Sequence, residues 1–318
     1  MAEFKLPYYK GHIDCTIPDE LVAGVLVSKT ESYVPTMSEQ ELVRDALNNP
    51  INSLPLCELA KSKKHIVIIS SDHTRPVPSH ITMPILLEEI RKYNKDVKIT
   101  ILIATGMHRP TTHEELVNKY GEKIVKEEEI VIHNAYEDSD MTFKGILPSG
   151  GELWVNKLVD EADLLISEGF IEPHFFAGFS GGRKSVLPGI ASKKTVLWNH
   201  NAKFIANKNS RAGNLEDNPI HKDMLFAAKQ VKLAFILNVV INGEKKIIKA
   251  FAGDLEQAHK HGCELVKEIA QVKPIYSDIV ITTNGGYPLD QNIYQTVKGM
   301  TAGEALSLIH ISEPTRLL

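Results

Sequence analysis

Residues 65–80 read HIVIISSDHTRPVPSH. A run of β-branched, apolar side chains passes straight into a loop holding Asp72, His73, Thr74 and Arg75, and a helical pattern starts near Ser79. Strand, polar loop, helix is the unit of an α/β fold, and the unit recurs. VKITILIA (97–104) leads to a helix capped at Thr112, with Glu115 completing a capping box. ADLLISEG (162–169) leads to a glycine-rich loop and a helix. Residues 218–271 read as a helix, two strands, AFILNVVIN (234–242) and KKIIKAFAG (245–253), joined by a turn at Asn242-Gly243, and an amphipathic helix from Asp254. The expectation is an α/β protein: a larger N-terminal α/β domain over 1–272, a linker at Lys273-Pro274, and a second α/β domain over 275–306. SDIVITTNGG (277–286) supplies the second domain's first strand and loop. SLIHISEPTRLL (307–318) breaks the helical pattern and resembles a translated sequencing-adapter tail. We expect it to be non-native and the natural protein to be longer.

Composition narrows the class. At 318 residues and 43% hydrophobic content the chain can bury a full core. A net charge of −4 leaves no broad basic surface, so nucleic acid is not an expected partner. Apolar runs such as ITILIA are far shorter than a membrane span, and MAEFKLPYYKGHIDC lacks a signal peptide's apolar region. No membrane association and a cytoplasmic location are expected. Cys15, Cys57 and Cys263 form no C-x-x-C pair, so neither a disulfide framework nor a thiolate metal site is indicated.

Ligands of open α/β sheets bind at the carboxyl ends of the strands. Four predicted strands deliver chemistry to that rim: Asp72 and Arg75 after the first, His108 after the second, His174 and the glycine-rich loop after the third, and the 284–298 stretch after the last. Each has a plain alternative. Asp72 can cap a turn, Arg75 can pair with it at the surface, and a loop histidine need not be catalytic. His73, His80, His113, His133 and His221 are read as structural or solvated. GFSGGRKS (178–185) falls short of a P-loop, because Arg183 stands where glycine is needed before Lys184. Gly178, Gly181 and Gly182 still allow close backbone approach to an anionic ligand. His200 lies on a predicted helix beside apolar neighbours. It is either a packed histidine or a single metal ligand.

Taken together, SDHTRPVPS (71–79), GMHRP (106–110), EPHFFAGFSGGRKSVLPGIAS (172–192), WNHN (198–201) and YQTVKGM (294–300) resemble, in order and spacing, the lactate racemase family that uses a nickel-pincer nucleotide. The resemblance implies a two-domain α/β isomerase with its active site in the cleft between domains, and a chain truncated at its C-terminus. It implies that Lys184 tethers the pyridinium-based cofactor covalently and that His200 ligates nickel. His108 and His174 become the acid/base pair. Asp72, Thr74 and Arg75 lie beside substrate and cofactor, and Tyr294, Gln295 and Lys298 hold the substrate. The implied reaction inverts a small 2-hydroxy acid, with lactate the leading candidate, by proton-coupled hydride transfer through a 2-oxo acid. Cofactor-synthesis and nickel-insertion proteins are the implied partners. Without the resemblance, the same residues also suit a non-catalytic nucleotide- or phosphate-binding protein, or a metal-dependent hydrolase. The hydrolase is weakened by the lack of a second protein ligand near His200.

Overall fold

The computed structural model describes residues 1–290 and 293–307, without the side chains of Ile293 and Tyr294; the tail expected over 307–318 therefore lies, apart from Ser307, outside the described residues. The strands are β1 (Ala2–Tyr8), β2 (Gly11–Ile17), β3 (His65–Ser71), β4 (Lys98–Ala104), β5 (Glu129–Ile132), β6 (Met141–Ile146), β7 (Glu152–Asn156), β8 (Leu164–Phe170), β9 (Pro173–His174), β10 (Gly178–Phe179), β11 (Leu233–Ile241) and β12 (Ile247–Gly253). The helices are α1 (Glu39–Asn48), α2 (Leu56–Ala60), α3 (Ser79–Arg91), α4 (His113–Tyr120), α5 (Glu122–Glu127), α6 (Leu158–Glu161), α7 (Lys193–Asn199), α8 (Ala202–Ile205), α9 (Pro219–Gln230), α10 (Gln257–Ala270) and α11 (Ile293–Glu304).

One six-stranded sheet in the order β12-β11-β8-β3-β4-β5 organises the molecule. Its four pairings from β11 to β5 run parallel, and only β12 is antiparallel, to β11. A parallel strand covered on both faces reads as a continuous apolar run, and β3 shows why. Ile66 and Ile68 enter one core layer with Leu86 and Ile101, while Val67 and Ile69 enter the opposite layer with Leu102 and Ile236. After β3 the chain moves outward through β4 and β5, then returns to place β8 on the other side of β3. The order reverses between β3 and β8. Their carboxyl ends therefore flank the crevice where doubly wound sheets bind ligands.

The predicted β3, β4, β8, β11 and β12 form, as does the capping box of Thr112 and Glu115 on α4. Three expectations change. The β11–β12 loop closes between Asn242 and Lys246, with Lys245 rather than Gly243 at positive φ, so Asn242-Gly243 is not a two-residue turn. Helix α10 starts at Gln257, and Asp254 sits ahead of it accepting from the amides of Glu256 and Gln257. No strand forms over 277–286 among the described residues: a strand needs a ladder partner, and Ile279 and Ile281 lie exposed without one. No helix among the described residues is long and apolar enough to cross a membrane.

The edge of the sheet depends on one glycine. Ile51 lies against Gly253, and its carbonyl accepts from the amide of Asp254 at 2.9 Å. Gly253 has φ +128°, and a Cβ there would lie 2.2 Å from the Ile51 oxygen. Gly253→Ala is expected to cost about 1–3 kcal/mol through backbone strain and displacement of this crossing, which a urea unfolding midpoint measures directly.

Candidate active site

The loop after β3 is ordered by its own acid. Asp72 is buried at the strand end, and its Oδ1 accepts from the amide of Thr74 at 3.1 Å and from the Thr74 hydroxyl at 2.6 Å. That is an Asx turn closed by a threonine. Arg75 donates to the same hydroxyl at 2.7 Å. The second oxygen of Asp72 faces the neighbouring loop, where His108 Nδ1 approaches it at 2.7 Å. Since a carboxylate only accepts, His108 donates through Nδ1 and leaves Nε2 as its working atom. Asp72 thus fixes the tautomer and orientation of His108, the role a carboxylate plays behind a catalytic imidazole. Burial would raise the Asp72 carboxyl, but the hydrogen bond and charge of His108, the Arg75 guanidinium and the Thr74 hydroxyl outweigh it and bring it down to about 2.

Strand β8 exits into residues 171–184, where the sequence concentrated its motif. Its centre is Phe176, buried, with its ring 4.6 Å from that of His174 and 5.0 Å from that of His200, both edge-on, and with Lys184 Nζ 5.8 Å away. Phe175 stacks on His174 at 4.9 Å. One apolar ring therefore spaces the three residues that the motif singled out. The amide of Ala177 donates to Nδ1 of His174 at 3.3 Å, so the neutral ring carries its hydrogen on Nε2. His200 ends α7 as its C-cap rather than lying within the helix.

The glycine-rich loop is arranged unlike a phosphate cradle. Arg183 is fully buried, and its guanidinium donates to the carbonyls of Ala177 at 2.7 Å, Phe179 at 2.8 Å and Gly181 at 3.2 Å, and through Nε to His221 at 3.0 Å. The loop turns its oxygens onto an internal cation. Its glycines answer to packing: a Cβ on Gly178 would meet the Asn214 oxygen at 2.4 Å, one on Gly181 would meet Asn238 Oδ1 at 2.7 Å, and one on Gly182 would meet the His259 ring at 2.8 Å. Gly178, Gly181 and Gly182 thus each sit against the protein itself on the side where a Cβ would stand. His221, set aside as structural or solvated, is part of this buried cluster.

Several side chains that carry positive charge in water crowd this rim. Burial, followed by the charges of Lys184, Lys298, His200 and Arg75, holds His174 well below the usual imidazole range. Burial and then Lys184 bring His200 to about 3. Burial, then Arg183, Arg75 and Lys298, drives the Lys184 amine well below its ordinary value. Lys298, on α11, is lowered by burial and by Arg75. The opposing group is Glu172, which the sequence reading passed over. Its carboxyl is raised by burial and pulled back by Lys298, Arg75 and Lys184. Only its place, two residues before His174 in the motif, could have flagged it.

The first domain's residues thus converge, and Lys298 joins them from beyond residue 272. Gln295 is buried on the same helix, with its backbone carbonyl accepting from Asn284 at 2.7 Å. The side chain of Tyr294 lies outside the described residues. Among the described residues no group of three or more His, Cys, Asp or Glu could hold a metal ion. His200 nevertheless keeps Nδ1 buried without a hydrogen-bond partner, beside a desolvated lysine. A neutral imidazole is the form that ligates metal and a neutral amine is the form that attacks an electrophile. These residues fit a tethered group that brings the remaining metal donors itself.

The fold and the site define a doubly wound α/β protein whose ionisable side chains gather at its switch point. The chain belongs to the lactate racemase family. Residues 8–213 match the lactate racemase N-terminal domain and residues 272–309 the lactate racemase C-terminal domain. Over 305 residues it is 62% identical to the lactate racemase of Lactiplantibacillus plantarum and 59% identical to that of Thermoanaerobacterium thermosaccharolyticum, covering 96% of this chain and 72% of each relative. The lactate racemase apoprotein structure from the latter organism superposes with a TM-score of 0.90 at 58% identity, over 96% of this chain and 72% of that one. A Thermotoga maritima protein, 23% identical with a TM-score of 0.63 over 78% of this chain and 63% of its own, shares the fold.

The Asp72 pairing makes stability depend on pH. A carboxyl lowered from 3.8 to about 2 on folding contributes stability that is present above the unfolded value and lost as pH falls toward the folded one. Denaturant unfolding between pH 4 and pH 2 should lose on the order of 2 kcal/mol from this group, and Asp72→Asn should remove that part of the slope.

Proposed function

We propose that this protein interconverts the enantiomers of lactate at the β3/β8 switch point, using a nickel-pincer nucleotide held by Lys184 and His200. The observation that carries the reading is the convergence on one rim of two differently held histidines, the Asp72-backed His108 and the Phe175-stacked His174, with a desolvated lysine and an unpartnered imidazole around Phe176. The metal-bearing group supplies, when bound, a reversible acceptor for the α-hydrogen and its electron pair.

The chain's own residues do the rest. His108 takes the hydroxyl proton of one enantiomer through Nε2, with Asp72 stabilising the imidazolium that forms; His174 serves the other enantiomer through Nδ1, whose lone pair gives up its 3.3 Å bond from the Ala177 amide. General base help of this kind contributes typically ~10²–10⁴-fold. Loss of the hydroxyl proton and the α-hydrogen leaves a planar 2-oxo acid, and reversal on its other face inverts the centre. Arg75, half-buried and fixed by Thr74, and Lys298 from α11 meet the substrate carboxylate and the oxygen that becomes a ketone. Gln295 and Tyr294 complete the substrate side. His200 holds the metal through its neutral ring, and Lys184 is kept as the free amine that a covalent tether needs. In this reading residues 1–272 form the catalytic and cofactor-binding domain, and residues from 275 begin a second domain that closes the cleft. Proteins that build the cofactor and insert nickel would act before turnover.

The full-length, cofactor-loaded protein offered a single enantiomer of lactate is expected to produce the other, and optical rotation staying unchanged would exclude the reading. His108→Ala and His174→Ala should each lower inversion about 100-fold or more, measured by chiral chromatography. Lys184→Ala should lose the covalent mass increment that the loaded wild-type peptide carries.

A further inference from the structure

We propose that Glu168 is a positioning residue for the active site: a sealed carboxylate on β8 that ties both ends of the Asp72–Pro78 loop and thereby holds Asp72 against His108. The proposal rests on the reading of Asp72 and His108 as an acid–base pair. Glu168 is buried at 2% exposure and takes no part in the chemistry described above. Its Oε1 accepts from Ser70 at 2.6 Å and from Ser79 at 2.5 Å, and its Oε2 accepts from Thr82 at 2.5 Å. Ser70 stands two residues before Asp72, at the end of β3, and Ser79 and Thr82 open α3 immediately after the loop. One side chain thus fastens the way into the loop and the way out of it to the neighbouring strand across the switch point.

The surroundings match a negative charge. Three hydroxyl donors suit the acceptor capacity of a carboxylate. Because the Ser70 proton points at Glu168, the Tyr120 hydroxyl, 2.6 Å from Ser70, donates to Ser70 and extends the chain. Lys119, buried beside Tyr120 at the end of α4, donates to Ser71 at 3.3 Å, and Glu168 and Asp72 both act on its charge. Two acids, Glu168 and Asp72, face two bases, Lys119 and Arg75, beneath the loop. Removing the Glu168 charge leaves Lys119 and Arg75 facing Asp72 alone, and removing its reach frees the loop ends. Either change weakens the hold of Asp72 on His108. Asp72 and His73 act on His108 directly, and Arg75 and Arg109 in turn act on Asp72.

The test follows the His108 imidazole of this chain by NMR titration, with its resonance assigned by its loss in His108→Ala, so that no bound cofactor is required. Asp72→Asn should lower the His108 midpoint by about one to three pH units, the effect of removing an opposite charge in contact. Glu168→Gln keeps the shape and should lower the midpoint in the same direction by about half a unit or more, while Glu168→Gln with Lys119→Met, which rebalances the charge, should bring it back toward the wild-type value. Ser79→Ala removes one fastening and should give a smaller shift of the same sign; it serves as the deciding variant if Glu168→Gln fails to fold. A folded Glu168→Gln or Ser79→Ala protein whose His108 titrates as in the wild type, while Asp72→Asn shifts it, overturns the role of Glu168. An unchanged midpoint in Asp72→Asn overturns instead the acid–base pairing on which the proposal stands.

Discussion

Positive charge must be kept off most of the rim for this site to exist. Lys184, Lys298, His174 and His200 gather with Arg75 at the ends of β3 and β8, and charging all of them together would place several like charges in a partly dry cleft. Burial and mutual repulsion act in the same direction on each, toward the neutral form. In the proposed reading the neutral forms are the useful ones: an imidazole lone pair to bind a metal, a free amine to form a bond, a ring to take a proton. Arg75 cannot yield its charge, and the carboxylates of Asp72 and Glu172 offset it.

That balance depends on where the chain crosses the sheet. The reversal of strand order between β3 and β8 opens the crevice, and both strands end in residues that must leave the sheet without stranding buried polar groups. On the β3 side the carboxylate of Asp72 takes up the amide and hydroxyl of Thr74. On the β8 side the guanidinium of Arg183 gathers loop carbonyls, reversing the usual logic of a glycine-rich loop, in which amides gather around an anion. A buried ion is tolerated only when its hydrogen bonds are complete, and both ions meet that condition here. The loops they hold carry His174, Lys184, Thr74 and Arg75, so two buried ions decide where those side chains stand.

Much of this was legible in the linear sequence, for a physical reason. Strands β3, β4 and β8 are parallel and buried on both faces, so their composition is continuous and β-branched, and the polar residues after them stand out. The Thr112–Glu115 capping box is local and readable from spacing alone. Asp72, Arg75, His108, His174 and the glycine-rich loop with Lys184 could be gathered on one rim from the sequence, because parallel strands all end on the same side; His200, on a helix, could not.

What the sequence by itself determined was the class of fold, the rim and the residue types on it. Only the tertiary structure decided which groups face each other. Phe176 had no role of its own in the linear sequence, yet it spaces His174, His200 and Lys184. Arg183 read as a broken P-loop, yet it is the cation around which the loop closes. Ser70, Thr82 and Glu168 lie outside every motif and Ser79 only ends one, because their meeting requires β8 to lie beside β3, a neighbour nearly a hundred residues distant in the chain. Residues 277–286 have the composition of a strand and form none among the described residues, since alternation of side chains is local but a hydrogen-bonded partner is not.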